Sequence, residues 1–229
     1  MVEWFKAAVL KTAVGASPPW VRIPLSPPFL YQYIAKHNHT VFISMHSLQL
    51  VSPHIKYQNS YIDALIEFRH ENDPFFSRKE LYQSYHLPDL DKEFDHLILK
   101  PFRDFASGIG LPNGFLPQSE YWLVQGDEYI GAIHIRHGLT KYLEYEGGNL
   151  GYEIRPSKRG HGYATLAAEM GLEKAAELGL SKVIITCNAM NTPSVHVALN
   201  VIKNKGHGQE VEPYITENGR TIRRFCFNI

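Results

Sequence analysis

The order of elements predicts an α/β (α+β) fold: one mixed central sheet with helices on both faces. Three observations lead there. Apolar residues make up 44% of the 229-residue chain and charged residues 20%, the balance of a globular domain. Stretches with a period of two alternate with stretches of helical period, in the order β-α-α-β-β-β-α-β-α-β-β. The breaks between them carry glycine and proline at turn positions.

Leu48 and Leu50 alternate with polar neighbours and predict a short first strand. Ser52-Pro53 supplies a cap followed by proline, so a helix is expected from there to about Arg69, with Tyr61, Ile62, Leu65 and Ile66 on its apolar face. Pro74-Phe75-Phe76 marks a loop. A second helix is expected over 93–106, from Phe94, Leu97, Ile98, Phe102 and Phe105, with Pro101 placed to kink or split it. Glu120–Val124 and Tyr129–Arg136 flank Gly126-Asp127 and read as a hairpin. Asn149–Ile154 predicts a strand and Tyr163–Leu178 an amphipathic helix. On that helix Glu169, Glu173 and Glu177 form a polar stripe, Leu166, Ala167 and Met170 an apolar one, and Gly179 the stop. The β-branched run Lys182–Cys187 fits a central strand buried on both faces. Thr192-Pro193 opens a helix to about Lys205, and 209–216 with 220–228 form a last hairpin around Asn218-Gly219.

Residues 1–44 differ from the rest. Five prolines crowd the stretch from Pro18 to Pro28, a composition that resists packing into a domain. Trp4–Thr12 is broken by Lys6 and Lys11, and arginine is scarce, so neither a secretory nor a mitochondrial leader fits well. Back-translated, the segment resembles a bacterial serine transfer-RNA gene, including a GTTCGAATCC loop. The expectation is that 1–44 form a non-domain extension, disordered or spurious, with translation starting near Met45 and a single domain over 45–229.

Between the strand ending at Ile154 and the helix beginning at Tyr163 lies a basic, glycine-containing turn, Arg159-Gly-His-Gly-Tyr-Ala164. A strand–turn–helix of this kind gathers free backbone N–H groups and the positive end of a helix dipole, and so favours anions, phosphates above all. The chain has neither G-x-x-x-x-G-K-[ST] nor G-x-G-x-x-G, which excludes the P-loop and the dinucleotide fingerprint.

The turn resembles motif A of the GNAT superfamily of N-acetyltransferases, R/Q-x-x-G-x-G/A. The succession of elements over about 46–229 is similar to that superfamily's topology. Gly131–His137 and Gly219–Phe225 look like stretches of one acetyltransferase subgroup. The resemblance implies that acetyl-CoA is the co-substrate. Its pyrophosphate is expected on the backbone of Arg159, Gly160, His161, Gly162, Tyr163 and Ala164. Its pantetheine arm is expected along the strand Tyr152, Glu153 and Ile154, in a gap where that strand splays from Lys182–Cys187. Asn191 and Ser194 match an N-x-x-S near the far end of the cofactor, and both also fit helix capping.

The resemblance further implies an acetyl group moved to a primary amine of a small molecule or peptide by direct attack in a ternary complex. The general base stays open among Glu153, His137 and Glu146, with Glu144, His134 or a chain of waters as alternatives. Tyr152 and Glu153 are adjacent on a strand and face opposite ways. Many members carry a tyrosine on the last helix to protonate the leaving thiolate. The helix from Thr192 to Lys205 has none and runs about a turn longer than expected. A non-catalytic acyl-CoA sensor or partner module of the same fold is therefore the alternative.

Lys plus Arg and Asp plus Glu both number 23, so the basic footprint of a nucleic-acid binder is missing. No apolar run reaches the ~20 residues of a membrane span. Cys187 and Cys226 lie in apolar runs and read as buried thiols in a reducing, cytoplasmic setting. The twelve histidines show no zinc spacing with them, and no metal is expected. A homodimer is left open. The tyrosines and acids of the 137–148 loop hint at a cationic acceptor.

Overall fold

A computed structural model describes residues 48–229, so the expected extension over 1–44 lies outside the described residues. Seven strands form two antiparallel sheets set side by side. The first runs β1 (Leu48–Val51), β2 (Gln118–Gln125), β3 (Glu128–Arg136), β4 (Leu150–Ile154) in chain order. The second has β7 (Thr221–Asn228) between β5 (Lys182–Asn188) and β6 (Gly208–Ile215). Two ladders are hairpins, β2–β3 and β6–β7, whereas β1–β2 is joined across the helices that lie between them and β5–β7 across the helix Thr192–Lys205 and β6. β5 is buried as expected but has a paired neighbour on one side only, β7.

Helices cover both faces. On one, α5 (Tyr163–Glu177) and α6 (Thr192–Lys205) pack on Leu123, Ile133, Ile135, Leu150 and Ile154 of the larger sheet and on Val183, Ile185, Phe225 and Phe227 of the smaller. The face of α5 that meets the sheets is Ala167, Ala168, Gly171, Leu172 and Ala175. Leu166, expected on that face, is exposed, and Met170 lies at its margin. Small residues decide the orientation because they let the helix come close. A Cβ on Gly171 would lie 3.0 Å from Leu150 Cδ1 and 3.2 Å from Ile133 Cγ2. Gly179 ends the helix as expected, the N–H of Leu180 returning to Ala175 O at 3.0 Å.

The other face carries α1 (Gln58–His70), α2 (Lys79–Ser84), α3 (Leu87–Phe94) and α4 (Lys100–Ala106). They close over Trp122, which is fully buried and stacked on Tyr61 at 4.6 Å. The first helix begins later than Ser52-Pro53 suggests. His54 caps a short 3₁₀ turn, Ile55–Tyr57, and α1 follows it.

The expected helix over 93–106 is a chain of shorter pieces. Pro101 cannot donate a backbone hydrogen bond, and a π turn over Asp95–Leu99 absorbs the misfit, with Lys100 N–H reaching Asp95 O. Helices α2 and α3 were not expected from the sequence. A six-residue helix shows no period, and α2 is held from outside: Arg69 donates to the carbonyls of Tyr82 and Tyr85.

The two sheets meet at Asn149, just ahead of β4 and 1% exposed. Its N–H donates to Ile184 O at 2.9 Å, its Oδ1 accepts from Ile184 N–H at 2.7 Å, and its Nδ2 donates to Lys182 O at 3.3 Å. Past this point β4 and β5 share no ladder. Asn149→Ala would leave the Ile184 N–H buried without a partner and lower the unfolding free energy by roughly 1–3 kcal/mol. Chemical denaturation of the purified variant measures it.

Candidate active site

Beyond Asn149 the backbone of β4 is bonded on one side only. Arg136 N–H meets Asn149 O at 2.8 Å and Arg155 N–H meets Ile130 O at 3.0 Å. The antiparallel alternation between these two bonds turns residues 151 and 153 toward β3, and the peptide groups of Leu150, Tyr152 and Ile154 away from it, into the gap. Arg159 Nε donates to Ile154 O at 3.0 Å. Among the described residues the N–H and C=O of Tyr152 have no partner. Buried peptide groups of this kind are costly unless something pairs with them.

The strand leads through a 3₁₀ turn, Pro156–Lys158, which Glu67 of α1 fastens by accepting from Ser157 N–H at 2.9 Å. The glycine turn follows. Gly160 and Gly162 have φ of +80° and +78°, where a side chain is strained, and the space beside both is open. From Gly160 to Thr165, six successive N–H groups have no acceptor among the described residues. The first return bond of α5 comes from Leu166, to Gly162 O at 3.2 Å. No acidic residue sits in the first turn of this 15-residue helix. Side chains leave the turn clear. His161 bends back onto Arg159 O at 2.8 Å, and Arg159 is drawn to Glu71 at 3.0 Å and Asp73 at 3.6 Å. The result is a concave row of donors at the positive end of a helix dipole, fit for a polyanion.

Tyr152 and Glu153 point to opposite faces, as strand geometry requires. Tyr152 reaches toward α6, its hydroxyl 2.9 Å from Ser194 Oγ and 3.0 Å from Ser194 O. Ser194 Oγ also lies 3.2 Å from Cys187 Sγ, and burial pushes that thiol up. Asn191 caps α6, its side chain accepting from Ser194 N–H at 3.2 Å.

Glu153 faces the helices α1–α4 and is buried. Its carboxylate accepts from the Tyr82 hydroxyl and from Tyr129 at 3.4 Å, and Arg78 Nη1 lies 3.6 Å away. Arg78 also holds Glu120 through two bonds of 3.0 Å. Arg78 Nη2 lies 3.2 Å from His134 Nδ1. A guanidinium only donates, so Nδ1 accepts and the ring proton of the neutral imidazole is on Nε2. Burial, with Arg78 and Arg136 adding to it, holds His134 well below the ordinary 6.5. Burial raises the Glu120 carboxyl against the pull of Arg78.

The expected base residues are not brought together. His137 bonds Ser119 at 2.8 Å, on the sheet face opposite to Glu153, and burial lowers it. Glu146 pairs with Arg220 at 3.2 Å, and Glu144 approaches Lys182 at 3.9 Å. Arg78, Glu120 and Tyr82 were missed in the sequence reading. Only Glu120 left a trace there: it shares the inward register of Trp122 and Val124, an acid on an apolar strand face.

His134 and His137 both bind protons less readily when folded. Between their folded values and 6.5 the unfolded chain carries more protons, so stability is fully present above about pH 6.5 and is lost as pH falls through the folded values. Thermal unfolding should show a lower midpoint at pH 5.5 than at pH 7.5, with a shallower dependence in His134→Gln.

Residues 68–201 match the family model described as an acetyltransferase (GNAT) domain. No curated protein matches the chain. Among solved structures, the microcin C7 self-immunity acetyltransferase MccE, in complex with acetyl-CoA and AMP, is 14% identical with a TM-score of 0.51, over 80% of this chain and 92% of that one. The acetyltransferase from Salmonella typhimurium that modifies the N-terminal serine of ribosomal protein L7/L12 is also 14% identical, with a TM-score of 0.50 over 80% and 95%. At these identities the likeness is one of fold: a mixed α/β domain with antiparallel sheet and helices on both sides. With more than half of its length matched by the family model, and with an open, glycine-built turn at the mouth of the parted strands, the chain belongs to the GNAT acetyltransferase family.

Proposed function

We propose that this protein is an acetyl-CoA-dependent N-acetyltransferase that acetylates a primary amine of a small molecule or peptide by direct attack. The observation that carries the proposal is the continuous row of partnerless N–H groups from Gly160 to Thr165, opening onto the gap where the Tyr152 peptide is unbonded. A pyrophosphate matches the row and the amides of a pantetheine arm match the strand. The likeness to MccE, whose structure holds acetyl-CoA, agrees with this.

In the proposed reaction the amine nitrogen attacks the thioester carbon. A C–N bond forms, the C–S bond breaks, and its electron pair stays on sulfur. The Tyr152 N–H is the donor available to the developing oxyanion. Of the three candidate bases, Glu153 has the best support. It lies on β4 itself, next to Tyr152 and held in place by Arg78 and Tyr82, whereas Glu146 lies off the strand at Arg220 and His137 turns to the other face. His134 cannot accept a proton through Nε2, which already bears one, and its Nδ1 is engaged by Arg78. Asn191 and Ser194 act in this reading by shaping the start of α6, with Ser194 fixing the Tyr152 ring.

Calorimetry should detect coenzyme A binding to the wild type, weakened at least about tenfold by Gly162→Val, which forces a side chain onto a positive φ. Release of free thiol from acetyl-CoA with an amine panel tests turnover. Glu153→Gln should lower kcat by roughly 10²-fold or more while leaving coenzyme A affinity in place. Absence of coenzyme A binding would overturn the proposal. Binding without turnover across the panel would make the protein a sensor of acyl-CoA.

A further inference from the structure

Arg136 has a different set of partners from the arginine next to it. Arg78, on the same face, is matched by Glu120 and Glu153. Arg136 closes β3 two residues after His134, about 7 Å further along the strand. It donates through Nη1 alone, to the carbonyls of Gly147 and Gly148, each at 3.1 Å. Among the described residues, no carboxylate pairs with it, and Nε and Nη2 have no partner. The nearby acids are committed elsewhere: Glu146 to Arg220, Glu120 and Glu153 to Arg78. Burial, and then Arg78, lower its affinity for its own proton. Nε and Nη2 are not among the fully buried partnerless atoms of the described residues, so both face solvent and are open to an anion.

A second donor stands beside it. The His134 ring lies against the backbone of Gly151, so closely that a Cβ there would come within 2.4 Å of Nε2. Nε2 carries the ring proton and has no partner among the described residues. Solvent reaches it, since among the described residues Trp122 Nε1 is the only fully buried side-chain nitrogen or oxygen without one. Gly151 is next in sequence to Tyr152, whose peptide faces the gap. Two donors, one charged and one neutral, thus stand two residues apart on the face of β3 that Glu153 shares.

We infer that the acceptor amine carries a carboxylate, which Arg136 and His134 Nε2–H bind together, so that the substrate class is an amino acid or short peptide with a free acid group. This deepens the acetyltransferase reading and rests on it. It also replaces the cationic acceptor that the loop's tyrosines and acids suggest, because Glu144 and Glu146 are already paired with Lys182 and Arg220.

The test uses matched pairs, an L-amino acid and its carboxamide, and glycylglycine and its amide, with 1,4-diaminobutane as a probe without an anion. Binding to protein saturated with coenzyme A is measured by calorimetry, and turnover with acetyl-CoA by thiol release. Binding decides this inference and turnover decides the enzyme reading, so the two fail separately. The carboxylate member of at least one pair should bind at least about tenfold more tightly than its amide, the size expected of charge-assisted bonds. Arg136→Gln, which keeps a donor for the Gly147 and Gly148 carbonyls, should erase the difference, and Arg136→Lys should restore part of it. Equal binding of acid and amide in every pair, or tighter binding of the diamine, would overturn it. The wild-type comparison stands by itself if a variant does not fold.

Discussion

One asparagine organises this molecule. Asn149 gives its backbone N–H and both ends of its side chain amide to β5 while its backbone C=O stays on β3. A strand would have continued the ladder; a side chain closes it. The sheets are therefore joined at a point and free to part beyond it, which leaves the Tyr152 peptide facing open space and points the glycine turn at the mouth of the opening. The helices on either side have the complementary task. Helix α5 must come close enough to bridge both sheets, and it does so on alanine and glycine rather than on large side chains.

The two faces of the opening divide the work chemically. Toward α5 and α6 the side chains are apolar or neutral, with Tyr152, Ser194 and Cys187 bonded to one another. Toward α1–α4 they are polar and crosslinked, and Arg78 joins Glu120 and Glu153 on that side. Two acids with one guanidinium between them are tolerable inside a protein because donors meet them: Arg78 bonds both oxygens of Glu120, and the Tyr82 and Tyr129 hydroxyls donate to Glu153 Oε1. Arg136 stands on the same face without touching either acid.

What the sequence made legible was whatever had a period or a turn. The strands from Glu120 to Ile154, the long helices and the glycine turn all carry such marks, and the structure has them. What it hid was tertiary. Helix α2 is too short to repeat, and it exists because Arg69 holds its carbonyls. The apolar stripe of α5 was misread because hydrophobicity alone ranks Leu166 above Gly171, whereas close approach to Leu150 and Ile133 ranks them the other way. The parting of the two sheets left no mark in the residues themselves and was expected only from the family resemblance. Lys182–Cys187 is as apolar as a fully paired strand, and only the missing ladder on one side distinguishes it. Arg78 and Tyr82 carried no motif, since their meaning comes from Glu153, more than seventy residues away.

The short helix that brings Tyr82 to Glu153 has a dynamic corollary. Arg69 holds the carbonyls of Tyr82 within it and Tyr85 just past it, a turn precedes it, and α3 follows after two residues. Amide exchange in such a segment samples local excursions well below the energy of global unfolding. Were this segment to open locally, Glu153 would lose its Tyr82 donor while both sheets stayed whole.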